Sequence, residues 1–148
     1  GIFILETLFA FGRQELALGM IKESYQSYHQ GAESDCAGVN SNPLLSAVIP
    51  ANFLVRELLG VRTAVPGMSQ IYFNPAYKLV NNAKGRILTP YGRINVEWRK
   101  NEKAEMEVSI DANYPLDVLP MLPPDVLESC VFSLGPNVNM LDPESGDK

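Results

Sequence analysis

The chain is poor in the residues that most readily announce a chemistry. One histidine, His29, occurs in 148 residues, which argues against a histidine-rich metal site. The two cysteines, Cys36 and Cys130, are too few for a disulfide scaffold. They could pair only if the fold brings their Cα atoms within about 7 Å. There is no Walker loop, no dinucleotide-binding glycine fingerprint, no Cys-x-x-Cys pair and no His-Glu-x-x-His helix, and nothing else in the sequence asks for a cofactor or a metal. No apolar run approaches the roughly 18 residues of a membrane-spanning helix, so no membrane partner is expected. Positive charge is scarce as well. Twelve Lys and Arg against 17 Asp and Glu leave a net charge of −5, which excludes a broad electrostatic grip on nucleic acid or acidic lipid.

What is present is a globular composition, 46% hydrophobic and 20% charged. The length suits one ordinary domain or two very small ones. The opening Gly1-Ile2-Phe3-Ile4-Leu5 has no basic stretch before it and no small-residue cleavage site after it. It reads as a start inside a structure.

Ile2, Leu5, Leu8 and Phe9 recur at helical spacing, and Phe3, Ile4, Ala10 and Phe11 make this first helix apolar nearly all round. Gly12 sits where a left-handed cap belongs. Residues 13–28 predict a second helix, with an inner stripe of Leu16, Met20, Ile21, Tyr25 and Tyr28 and with Arg13, Glu15, Lys22 and Glu23 facing water. The short link makes the two a helical hairpin. Residues 29–43 are small and polar and read as a loop. Asn42-Pro43 then caps a third helix running to Leu59, kinked at Pro50 and closed by Gly60.

After Gly60 the period changes to that of strands. Gln70–Phe73, Gly85–Thr89, Arg93–Arg99, Glu105–Ile110 and Val131–Leu134 are short β-rich runs. In the clearest, Ile94, Val96 and Trp98 point one way and Arg93, Asn95, Glu97 and Arg99 the other. Asn101-Glu102-Lys103 predicts a hairpin between the third and fourth runs. Residues 142–148 look like a frayed tail. Helices first and strands afterwards predict an α+β chain of two units, residues 1–62 and 63–148.

Such apolar helices need more partners than the chain supplies. Leaving a Leu or Phe in water forfeits about 1.5–3 kcal/mol each, and several together make a patch larger than soluble monomers carry. Three solutions stay open: packing against the β region, self-oligomerisation, or membership of a longer polypeptide.

Certain motifs bear on that choice. Ile4-Leu5-Glu6-Thr7-Leu8-Phe9-Ala10-Phe11-Gly12-Arg13-Gln14-Glu15-Leu16-Ala17-Leu18 resembles the helix, Gly-Arg, helix hairpin that closes the (α/α)6 barrel of bacterial α-L-rhamnosidases and related six-hairpin glycosidases. Asn42-Pro43, Leu58-Leu59-Gly60-Val61-Arg62 and Pro66-Gly67-Met68 resemble the last barrel helix and its exit. Gly85-Arg86-Ile87 and Thr89-Pro90-Tyr91-Gly92-Arg93-Ile94-Asn95-Val96-Glu97-Trp98 resemble a run of the C-terminal β-sandwich. Together these cover about residues 3–110. The resemblance implies the terminal helices of an (α/α)6 barrel followed by an antiparallel β-sandwich, cut from a much longer hydrolase. It implies a carbohydrate substrate met through the parent enzyme, with the remaining barrel helices as partners.

The family inverts, which takes two carboxyl groups about 6.5–9.5 Å apart with a water between base and sugar. The resemblance puts the general acid in an earlier part of the barrel and the general base in the loop after the penultimate helix, following a Gly-Ala-Thr-Thr-aromatic-Trp-like run. Here the loop reads Gly31-Ala32-Glu33-Ser34-Asp35. Glu33 is the candidate base and Asp35 the weaker alternative. The Thr-Thr and Trp are missing and the loop is short, so a solvated carboxylate is the plainer reading of Glu33. The chain alone is expected to be inactive, because the acid and most of the pocket are missing. His29 could touch a substrate hydroxyl, or simply complement a helix dipole. Cys36 has no second histidine to activate it. Trp98 and Tyr91 could stack on a sugar, although Trp98 fits better as a core anchor. Two readings from other classes remain: a stand-alone β-sandwich carbohydrate-binding module with a helical oligomerisation region and a concave aromatic face, and a structural protein whose helices dock on a partner chain.

Overall fold

The apolar opening folds as its spacing predicts. In a computed structural model, which describes residues 2–29 and 51–142, helix α1 spans Ile2–Ala10 and α2 spans Gln14–His29. Gly12 takes φ 69°. Its N–H donates to the Phe9 carbonyl (3.2 Å), and that of Arg13 reaches back to Leu8 (2.8 Å), the paired bonds of a Schellman cap. The chain divides into two compact units, Gly1–Leu54 and Val55–Lys148.

In the first unit, Leu5, Phe9, Ala17, Ile21 and Phe53 form the core, and the Phe9 and Phe53 rings stack 5.4 Å apart. The inner stripe of α2 differs from the expected one. Ala17 and Ile21 are buried, while Leu16 is 58% exposed and Met20 is exposed as well. Small Ala17 allows close helix approach one turn before Ile21, and Leu16 and Met20 share a different side of the helix. Ile4 and Phe11 (79%) are also exposed. Most of the expected third helix lies outside the described residues. Residues 51–53 are α-helical, and Leu54–Leu59 continue as a π-helix. Gly60 closes it with φ 82°, its N–H donating five residues back to Val55 (3.0 Å).

The second unit is a two-sheet sandwich. One sheet has the order β1-β2-β6-β8, namely Val61–Thr63, Gln70–Phe73, Leu116–Pro120 and Val138–Met140. The other is β3-β4-β5-β7, namely Asn82–Thr89, Gly92–Lys100, Met106–Ala112 and Val131–Leu134. A single core takes Val61, Ile71, Phe73, Leu116 and Val118 from the first sheet and Ile94, Val96, Trp98, Val108 and Ile110 from the second. The alternation expected in β4 holds: Ile94 and Trp98 are fully buried and Arg93, Glu97 and Arg99 are exposed. The predicted hairpin joins β4 to β5 in antiparallel register, closed by Ala104 at φ 61°.

The expectation of an antiparallel sandwich is corrected: both sheets are mixed. β1–β2, β3–β4 and β4–β5 are antiparallel, whereas β2–β6, β6–β8 and β5–β7 are parallel. The cause is the path of the chain. β5 passes to β6 in the opposite sheet through the corner at residues 113–115. Helix α3 (Pro124–Ser129) carries the chain back, and β7 passes to β8 through residues 135–137. Two crossings in the same sense lay each later strand parallel beside its predecessor, as a crossover connection must. Asn137 Nδ2 donates to the Ala112 carbonyl (2.9 Å) and Gly135 N–H to that of Ile110 (2.8 Å), tying the second corner to the first.

Gly60 holds a position no other residue fits. A Cβ there would overlap the backbone of Asn74 and Pro75, and the Gly60 carbonyl accepts the Asn74 N–H at 2.8 Å. For Gly60→Ala, the left-handed conformation alone costs roughly 1–2 kcal/mol, and the backbone overlap adds to it. Urea unfolding followed by the emission of the one tryptophan, Trp98, should show the sandwich destabilised by more than about 2 kcal/mol.

Candidate functional site

The structure separates the sequence-predicted residues into three groups. Glu33, Asp35 and Cys36 lie outside the described residues. His29 is the last residue of α2, and Tyr25 and Tyr28 lie in the same helix. The remaining three fall within the sandwich. Trp98 is fully buried, so it anchors the core and cannot stack on a ligand. Its Nε1 is buried with no hydrogen-bond partner among the described residues.

Tyr91 is 60% exposed at the β3–β4 turn. Thr89 shapes that turn, its Oγ1 donating to the Gly92 carbonyl (3.0 Å) and accepting the N–H groups of Tyr91 and Gly92 (both 3.2 Å). The Tyr91 ring lies 5.9 Å from that of Tyr114, whose hydroxyl donates to the Met68 carbonyl at 2.7 Å. Gly67, with φ 86°, leaves room for the Tyr91 ring. Tyr91 is therefore a fixed, solvent-facing aromatic.

The outer face of the β3-β4-β5 sheet gathers a polar group that sequence reasoning did not assemble. Register sets Lys84 opposite Glu97 and Glu97 opposite Ser109, and in the next row Arg86 opposite Asn95 and Asn95 opposite Asp111. Lys84 Nζ lies 2.8 Å from Glu97 Oε2. Arg86 Nε donates to Asn95 Oδ1 (3.1 Å), and Asn95 Nδ2 reaches Asp111 Oδ2 at 3.5 Å. These side chains rim a shallow depression of about 500 Å³. Gly135 keeps space open at its edge, since a Cβ there would strike the Asp111 carboxylate. The alternation of each strand was legible, but the register that aligns three strands was not.

Glu57 is a second residue missed. Buried in the π-helix, it accepts from Arg56 Nε (2.8 Å) and from Arg62 Nη2 (2.9 Å). The arrangement ties the π-helix to β1 and neutralises a carboxylate that would otherwise be buried unpaired. A separate apolar depression of about 410 Å³ is lined by Pro120, Leu127, Phe132, Met140, Leu141 and Asp142. Among the described residues no three His, Cys, Asp or Glu gather in a way that could hold a metal. No described helix is long and apolar enough to cross a membrane.

Cys130 follows α3 and is half-buried, and that burial pushes its thiol above the usual cysteine range. A raised pKa means fewer thiolates and a slower nucleophile. In a Cys36→Ser background, Cys130 should react with iodoacetamide more slowly in the folded chain than in the urea-unfolded chain at pH 8. The gap should close as pH rises through the folded pKa. Because folding favours the protonated thiol, its contribution to stability is full below the ordinary thiol pKa and lost above the raised one.

Residues 60–129 match the family described as the bacterial alpha-L-rhamnosidase C-terminal domain. No curated protein matches the chain. Among solved structures, a GH78 family rhamnosidase of Bacillus sp. GL1 is similar over 95% of this chain, with a TM-score of 0.68 and 24% identity. The chain spans 16% of the length of that protein. The matched residues run from Gly60 through β1 to β6 and α3, and the structural likeness gives the fold: the β-sandwich of this chain is similar to the C-terminal domain of bacterial alpha-L-rhamnosidases.

Proposed function

We propose that this chain is the C-terminal portion of a longer inverting glycoside hydrolase acting on α-L-rhamnosides. In this reading, α1, α2 and the helix before Gly60 close an (α/α)6 barrel, and the sandwich follows as an accessory domain. The observation that carries the reading is the family match over residues 60–129. Two further observations support it. The likeness to the Bacillus rhamnosidase runs through helices and strands alike, covering 95% of this chain but 16% of that one. Ile4, Leu16 and Met20 are exposed on the helices and Phe11 in the turn between them, where a barrel would supply neighbours.

Glu33 is the general base of this proposal. Its carboxylate takes a proton from a water on the face of the sugar opposite the departing group, while an acid from an earlier barrel segment protonates the leaving oxygen. The remaining barrel helices are the partners of α1 and α2. The isolated chain is inactive, since one carboxyl group of the pair and most of the pocket belong to the rest of the protein.

Assay on an aryl α-L-rhamnoside tests both halves. The 148-residue chain should give no turnover. The complete polypeptide should hydrolyse the substrate with inversion, and Glu33→Gln should lower kcat by about 10²–10⁴-fold with little change in KM. Turnover by the isolated chain, or full activity in Glu33→Gln, would contradict the proposal.

A further inference from the structure

The charges of the polar depression on the β3-β4-β5 face cancel. Lys84 and Arg86 face Glu97 and Asp111, so the rim carries no net charge and offers no field to hold a phosphate, an acidic polymer or a metal cation. Val96 is the one aliphatic residue in its lining, and it is buried in the core, so the side chains that face a ligand are polar. What it does offer is an interleaved set of donors and acceptors. Arg86 spends Nε on Asn95 and keeps its Nη groups for solvent. Asn95 links Arg86 to Asp111 through the long 3.5 Å contact, which a ligand hydroxyl can replace. Ser109 Oγ has no hydrogen-bond partner among the described residues. Adjacent strands lie about 4.8 Å apart, so Arg86, Asn95 and Asp111 span roughly 10 Å across the three strands. A volume of about 500 Å³ lies within the range of small-ligand sites.

From this geometry we infer that the outer face of β3, β4 and β5 is a surface subsite for a neutral, hydroxyl-rich ligand, a sugar unit of a glycan. Each sugar hydroxyl both donates and accepts, and a row of guanidinium, carboxamide and carboxylate groups answers it on both counts. The site lacks the aromatic platform expected of a dedicated binding module, so it holds sugar through hydrogen bonds alone and weakly. It would anchor part of a polymer on the sandwich while hydrolysis proceeds elsewhere. The choice of rhamnose as the sugar to try rests on the proposed function; the neutral-sugar chemistry rests on the face itself.

Native affinity electrophoresis of the 148-residue chain tests the inference. The gels contain a neutral rhamnose-bearing polysaccharide, dextran or polygalacturonate. Retardation is expected in a neutral polysaccharide and not in polygalacturonate. Asn95→Ala and Asp111→Ala should each weaken it about tenfold, the effect of losing a hydrogen bond to a charged partner, while Asn139→Ala in the other sheet should leave it unchanged. Trp98 emission verifies that each variant is folded, and Arg86→Gln and Ser109→Ala stand in for any that is not. No retardation in either neutral polymer, retardation only in polygalacturonate, or retardation equal in all variants overturns the inference. Aryl rhamnoside turnover by the complete polypeptide is unaffected by any of these outcomes, so failure of the subsite and failure of the rhamnosidase reading are told apart.

Discussion

The sandwich depends on one apolar interior that two sheets fill together. Trp98, the largest side chain in it, is fully buried, with Ile94 and Val96 on the same face of β4. Ile71, Phe73, Leu116 and Val118 enter from the other sheet. Burying each such side chain is worth about 1.5–3 kcal/mol, so neither sheet has reason to persist without the other. This requirement also explains the path of the later strands. A chain leaving β5 can keep burying apolar residues only by turning the corner into the opposite sheet as β6. Repetition of that move as β7 and β8 yields the parallel pairs. Gly60 and Gly135 mark places where backbone or carboxylate comes too close for a side chain.

The same period-two rule that builds the interior builds the polar outer face. With Ile94, Val96 and Trp98 turned inward, Asn95 and Glu97 must turn outward, and strand pairing brings them beside Lys84, Arg86, Ser109 and Asp111. The outward face of a structural domain thereby becomes an ordered array of donors and acceptors. Tyr91 illustrates the contrasting case of an exposed aromatic, held by Tyr114 and Gly67 at the end of the sandwich rather than on that face.

Much of this was legible in the sequence, for physical reasons. β2, β4 and the β4–β5 hairpin announce themselves because one face is buried and the other wet, and a two-period pattern follows. Gly12 and Gly60 end their helices as expected because the left-handed cap suits glycine. β6 was hidden by Pro115 and Pro120 at its margins, although Leu116 and Val118 alternate with Asp117 inside it. β1 and β8 are three residues each, too short to show a period. Parallel pairing was invisible because it depends on the sense in which the chain crosses between sheets. In α2, an all-apolar stripe drew attention to Leu16 and Met20, whereas close packing selected Ala17. The Glu33 loop was read through the family motif, and its geometry lies outside the described residues.

Helices and strands stand differently in this account. The sandwich contains its own core, while α1 and α2 bury Leu5, Phe9, Ala17 and Ile21 but leave Ile4, Phe11 and Leu16 in solvent. On the proposed reading this pair relies on barrel neighbours, so in the 148-residue chain it is the less stable part. Amide hydrogen exchange on the 148-residue chain tests that claim most directly, since protection reports local opening free energy. The account predicts slow exchange through Gly92–Lys100 and Met106–Ala112 and exchange orders of magnitude faster through Gln14–His29. Protection in Gln14–His29 equal to that in Gly92–Lys100, in a monomeric chain, would contradict it.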